Sequence, residues 1–123
     1  MNKEQEDRLG IAEDKLSTAK LLRSEGKYGD AISRAYYSMF HSAKALLLEK
    51  DSDPKTHSGV STELGKLFRE ELGKEVTRDF SRIQEKREKA DYGEVSDFSD
   101  KEAKDAIKAA GTLLEKTMSF FGV

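Results

Sequence analysis

Between residues 28 and 50 the chain reads YGDAISRAYYSMFHSAKALLLEK, with apolar side chains recurring at helical spacing. At about 100° per residue, Ile32, Ala35, Tyr36, Met39, Phe40, Ala43, Leu46 and Leu47 share one broad face. A face that wide packs against two or three neighbouring helices. The opposite side carries Arg34, Tyr37, His41, Lys44 and Leu48 along one line. The pattern predicts a central helix with a core on one side and a polar, aromatic site or a partner surface on the other.

The same period recurs elsewhere. Residues 3–25 predict a first helix with Leu9, Ala12, Leu16, Ala19 and either Leu21 or Leu22 inward, stopped at Gly26 with Arg23 near its C-terminal end. Asp30 is the expected N-cap of the central helix, and the short connection predicts an antiparallel hairpin. A tetratricopeptide-like opening, G-x-Y-x-x-A-I, does not return about 34 residues later, so the chain is not a repeat array.

Residues 51–59, DSDPKTHSG, hold the only proline and form the clearest loop. Its His57 either belongs to a site or sits where Thr56 or Ser58 caps the next helix. Val60, Leu64, Leu67, Phe68 and Leu72 mark a short third helix ending at Gly73. Val76, Phe80, Ile83, Arg87 and Ala90 mark a fourth, with a break at Gly93. Ser99 followed by Glu102 is a capping box that opens the last helix, with Ala103, Ile107, Ala110, Leu114, Met118 and Phe121 inward. Gly111 within it is expected to allow close helix approach. The fold class is therefore all-α, an up-and-down bundle of four to five helices forming one domain over residues 1–123.

Composition narrows the function classes. Charged residues are 37% of the chain, yet the periodic apolar positions argue against disorder. This charge content, without cysteine, would suit a heat-adapted intracellular protein. The same lack of cysteine removes disulfides, thiolate nucleophiles and Cys-based zinc sites. No apolar run approaches the ~20 residues of a membrane span, and the acidic N-terminus does not resemble a secretory signal, so a cytoplasmic protein with no membrane partner is expected. With 22 basic and 24 acidic residues, no basic field covers the whole molecule, which leaves room for a local patch.

Candidate chemistry is sparse. The chain holds no phosphate-binding glycine loop and no nucleophile elbow. His41 and His57 lie on different elements and outside any H-x-x-x-H pair, so neither a metal nor another cofactor is expected. Arg34 and His41, seven residues apart on the central helix, point the same way roughly 10 Å apart along its axis. A guanidinium can fork onto a phosphate, an imidazole can exchange protons near neutrality, and Tyr37 between them can stack on a base. Lys44, His57, Arg87, Asp91 and Tyr92 complete the candidate ligand-binding set. Each has an ordinary alternative: Arg34 in a salt bridge, His41 hydrogen-bonded in the core, Tyr37 and Leu48 buried against another helix.

Three blocks, SRAYYSMFHSAKALLL at 33–48, KTHSGV at 55–60 and REKADYG at 87–93, together resemble the HEPN superfamily, and most closely its small stand-alone prokaryotic and archaeal branch. The resemblance implies a four- or five-helix bundle that pairs as a homodimer. It also implies partnership with a minimal nucleotidyltransferase protein in toxin–antitoxin modules. Many members of that superfamily are metal-independent RNA endonucleases, with an Arg, four to six residues and a His meeting across the dimer. Arg34-x6-His41 meets that spacing, although in ribonuclease members the motif usually lies on a later helix, and the last helix here has neither residue.

The leading expectation is a nucleotide- or RNA-binding and partner-binding module, probing its ligand with Arg34, Tyr37 and His41, and with Arg87 and Tyr92 as further contacts. The alternatives are a ribonuclease using Arg34 and His41 as catalytic residues across a homodimer, and a structural dimerisation domain whose seam is the second face of the central helix.

Overall fold

A computed structural model describes residues 1–92 and 98–123. These residues form α1 (Lys3–Ser24), α2 (Tyr28–Leu48), α3 (His57–Leu67), α4 (Arg69–Leu72), α5 (Lys74–Asp91) and α6 (Asp100–Phe120). The expected break at Gly93 lies outside the described residues.

The helix ends follow from local chemistry. Asn2 and Gln5 cap α1 reciprocally, and Ser99 and Glu102 do the same for α6. After α1 the chain turns through Gly26 at φ 78°, where Gly26 and Lys27 donate to the carbonyls of Arg23 and Leu22. A left-handed residue with these two bonds reverses the chain tightly, and glycine takes that conformation without strain. The α1–α2 hairpin follows directly. Asp30 is not the N-cap of α2: the helix already starts at Tyr28 behind Lys27, and Asp30 sits in the first turn, where its charge favours the helix dipole.

The expected third helix is divided, so six helices appear among the described residues where four to five were expected. Phe68 leaves helical geometry at φ −126° and ψ 14°, and its ring is fully buried against Phe120, 5.6 Å between centroids. Turning that ring into the core interrupts the helix, and the short α4 resumes beyond it.

α2 is the central element, packing against α1, α6, α5 and α3. Both of its sides are occupied: beyond the apolar stripe, Ser38, Ser42, Lys44 and Ala45 are buried as well. α1, α2 and α6 turn many small side chains inward, including Ala12, Ala19, Ala31, Ala35, Ala43, Ala103, Ala106 and Ala110, all fully buried. The α3–α5 side is filled by bulkier groups, with Val60, Leu64, Phe68, Phe80 and Ile83 fully buried. Leu22 rather than Leu21 faces the core; Leu21 is 60% exposed. Gly111 does not mark a close approach, because a Cβ there would meet nothing within 4 Å. None of the described helices is long and apolar enough to cross a membrane.

Candidate functional site

The three sequence blocks that are far apart along the chain meet at one place. α2 contributes Ser33, Tyr36, Tyr37 and Phe40, the start of α3 contributes His57, and the last turn of α5 contributes Arg87 and Asp91.

His57 is held there by a helix start. Thr56 is the N-cap of α3, and its hydroxyl accepts a hydrogen bond from the Gly59 amide at 2.9 Å. A Cβ on Gly59 would lie 2.9 Å from that hydroxyl oxygen and 3.1 Å from Pro54 Cβ, so only glycine leaves the cap undisturbed. The imidazole is thereby presented to three rings, with centroid distances of 4.7 Å to Phe40, 5.6 Å to Tyr36 and 6.1 Å to Tyr37.

The Tyr36 hydroxyl lies 2.7 Å from His57 Nδ1, the acceptor within its reach. Tyr36 is fully buried, and burial pushes its phenol well above the ordinary tyrosine range. It therefore stays protonated and needs an acceptor, so Tyr36 donates to Nδ1 and the imidazole proton resides on Nε2. Burial first, then the Arg87 charge, holds the His57 pKa below its ordinary value. His57 is accordingly neutral at physiological pH.

Arg87 is 7% exposed. Its guanidinium carbon stands 4.9 Å from the Tyr36 ring centroid and 5.7 Å from that of Tyr37, within cation–π range of both. Nη1 donates to Asp91 at 3.3 Å, and the same carboxylate accepts from the Ser33 hydroxyl at 2.8 Å. Nε is buried without a hydrogen-bond partner. A buried charged group with an unused donor is costly unless something supplies an acceptor. Half-buried Tyr37, Phe40 and His57 form the rim. Chemically, the arrangement places a largely buried cation with an unsatisfied N–H next to aromatic faces on which a base can stack.

The remaining candidates go elsewhere. Arg34 is exposed, with no hydrogen bond or ion pair among the described residues. His41 is half-buried and turned to α1, where Arg8 Nη1 donates to its Nδ1 at 3.0 Å. Because a guanidinium only donates, Nδ1 must hold a lone pair, and this imidazole is also the Nε2–H tautomer. Burial, then Arg8, Lys15 and Lys44, lowers its pKa to about 4. Arg34 and His41 thus have separate surroundings. Lys44 is buried and donates to Asp53 and, at 3.0 Å, to the Pro54 carbonyl, pinning the 51–59 loop to α2. Tyr92 caps α5 and is 75% exposed. Among the described residues no group of three or more His, Cys, Asp and Glu side chains is placed to hold a metal ion.

Sequence reasoning gave Tyr36 and Phe40 to the core alone, and it did not single out Arg8 or Gln5. Gln5 is buried and donates to the Ala45 carbonyl and the Glu49 carboxylate. A signal existed: Gln5 lies four residues before Leu9, and Arg8 four before Ala12, so both border the inward stripe of α1.

The profile of the HEPN domain matches residues 5–119. A protein of Pyrococcus horikoshii, named a UPF0332 protein, is 57% identical over 65 residues, covering 53% of this chain and 46% of that one. Two proteins of Methanocaldococcus jannaschii, each named "Putative toxin", are also similar. One is 44% identical over 90 residues, 68% of this chain and 64% of its own, and the other 34% identical over 120 residues, 96% and 82%. The matched stretch thus spans about half the length of the Pyrococcus relative. With a profile match over nearly its whole length and these similarities, the chain belongs to the HEPN domain family.

Proposed function

We propose that this chain is a nucleotide- or RNA-binding and partner-binding module of a toxin–antitoxin pair, acting as a homodimer with a minimal nucleotidyltransferase as its partner. The observation that carries the binding reading is the Arg87 cluster. A buried guanidinium with an unpartnered Nε lies against two tyrosines, and half-buried aromatic rings border it. Such a site takes a phosphate on the cation and a base on the rings. The toxin context is supported by the names of the two Methanocaldococcus relatives, and the nucleotidyltransferase partner by the family resemblance.

Binding is preferred here over metal-independent cleavage by Arg34 and His41. A general base needs a free lone pair within reach of the proton it takes. The Nδ1 lone pair of His41 is occupied by Arg8, and its pKa of about 4 leaves no proton to donate as an acid near pH 7.

The test is a titration of the purified chain with ATP and with a labelled single-stranded oligoribonucleotide in EDTA, followed by gel analysis of the RNA. Saturable binding of at least one ligand, intact RNA, and a Kd raised about tenfold by Tyr37→Ala are expected, since stacking on one aromatic ring contributes ~1–3 kcal/mol. Absence of saturable binding to both ligands refutes the binding function. Cleavage abolished by His41→Ala or Arg34→Ala would replace it with the ribonuclease function.

A further inference from the structure

Between α3 and α5 runs a groove of about 560 Å³ whose lining has an unusual charge balance. Arg69, Lys74 and Arg78 face it together with the hydroxyls of Ser61, Thr77 and Ser81, and no carboxylate lines it. The protein as a whole carries net charge −2, with more acidic than basic residues. The three cationic residues are exposed, and none of their side chains joins an ion pair among the described residues. Arg82, one turn beyond Arg78, shows the contrast: it is paired with both Asp79 and Asp105. Lys74 and Arg78 also border the cavity on the other side of α5, about 820 Å³, where Glu75, Asp79 and Asp105 accompany them.

We propose that the α3–α5 groove lined by Arg69, Lys74 and Arg78 is a binding track for the phosphodiester backbone of single-stranded RNA. This rests on the RNA-binding part of the function proposed above and adds a second surface to the Arg87 cluster. Three cations outside any ion pair among the described residues, in one groove, raise the local concentration of a polyanion and contact it without regard to base sequence. Lys74 and Ser81 are about 10 Å apart along α5, so the groove reaches past one phosphate to the next along a strand. That length selects a strand over a mononucleotide. No side chain caps the N-terminus of α5 at Gly73, so the positive end of the helix dipole adds to the same end of the groove, partly offset by Glu75 in the first turn. Beyond Ser81 the lining turns acidic at Glu85 and Glu88, which confines a polyanion to the Arg69 end.

Gly65 keeps the track open. It lines the groove, and a Cβ built on it meets nothing within 4 Å. A larger side chain there starts into open space and projects into the groove, and it leaves a better helix former in α3.

Fluorescence anisotropy with a labelled 12-nucleotide single-stranded RNA, across a salt series, tests the track. The triple variant Arg69→Gln, Lys74→Gln, Arg78→Gln is expected to weaken binding about tenfold or more. It should also flatten the slope of log Kd against log salt by ~2, at ~0.7 per single-strand phosphate contact. Gly65→Leu should weaken binding while its thermal midpoint does not fall. A control triple, Lys20→Gln, Lys27→Gln, Lys101→Gln, removes the same charge elsewhere and should leave the slope within ~0.5 of wild type. Unchanged slope and affinity in the groove triple, or an equal loss in the control triple, overturns the track while RNA binding itself stands. Absence of RNA binding by the wild type overturns both. Competition by ATP as strong, phosphate for phosphate, as by unlabelled RNA overturns the preference for a strand.

Discussion

The two histidines occupy regions that look alike in outline and differ in one bond. On the α1 side of α2, His41 has its Nδ1 held by Arg8. On the α3–α5 side, His57 has its Nδ1 held by the Tyr36 hydroxyl, with Arg87 close by but facing the tyrosine rings. Both imidazoles are neutral, and in both, burial is the leading cause of the lowered pKa, with an arginine second. The difference is in what each arginine has left to offer. Arg8 is bonded directly to a neutral acceptor. Arg87 leaves the imidazole to a phenol, lies across two π faces and keeps a donor unpartnered. Two sites built from the same residue types therefore differ, and only the second combines a cation that has an unsatisfied donor with an aromatic rim.

If that contrast is right, removing each arginine should have unequal consequences. Arg87→Ala deletes a desolvated cation–π contact worth ~2 kcal/mol, its bond to Asp91 and the packing of its stem. A loss of about 3 kcal/mol is expected from urea unfolding. Arg8→Ala deletes one hydrogen bond to a half-buried neutral ring and should cost about 1 kcal/mol. Arg87→Lys retains the charge but not the flat guanidinium, and should recover less than half of the larger loss. Equal losses for the two alanine variants would erase the distinction.

Acid separates the regions next. His41 has a folded-state pKa of about 4 against an ordinary 6.5. Between those values the unfolded chain binds the proton that the folded chain refuses, so stability rises with pH across the window. Stability from this group is complete above 6.5 and is lost progressively as pH falls to about 4, by about 2 kcal/mol once partial exposure is discounted. Urea unfolding at pH 7 and pH 4.5 measures the loss, and His41→Gln should remove about that much of the difference. Arg8→Ala should also shrink it, because the Arg8 charge is the second cause of the lowered pKa. A wild-type curve flat from pH 7 to 4.5 would contradict the buried neutral state.

How much of this could be read from the chain depends on the distance over which each feature is decided. Periodicity and caps are local. Leu9, Ala12, Leu16 and Ala19 are buried as expected, Thr56 caps α3, and Ser99 pairs with Glu102. The divided third helix was hidden because Phe68 breaks it for a tertiary reason, the burial of its ring against Phe120. The single-helix wheel placed Arg34, Tyr37, His41 and Lys44 on one face, and their backbone positions do share it. It carries no information on what covers that face, and different neighbours have divided it: Arg8 takes His41, the 51–59 loop takes Lys44, and Arg87 lies near Tyr37. His57 and Arg87 were candidates from the outset, but their meeting with Tyr36 depends on the packing of α3 and α5 on α2, which no spacing along the chain encodes.

The smallest expected effect tests the finest detail. Tyr36→Phe keeps the buried ring and its place under Arg87, and removes only the hydroxyl. The energetic cost should be about 1 kcal/mol, one hydrogen bond with a half-buried partner that water can reach. Proton assignment is the sharper readout. If the phenol donates to Nδ1, it stabilises the neutral imidazole, and deleting it should raise the His57 pKa in an NMR titration. If the imidazole donates instead, the same deletion should lower it. The buried phenol has no other acceptor among the described residues, so a rise is expected, with the His41 titration unmoved because Arg8 alone holds that ring. A fall would move the His57 proton to Nδ1 and leave Nε2 as a lone pair facing the rim. The Arg87 region would then hold a base as well as a cation, and its difference from the closed Arg8–His41 pair would be chemical as well as electrostatic.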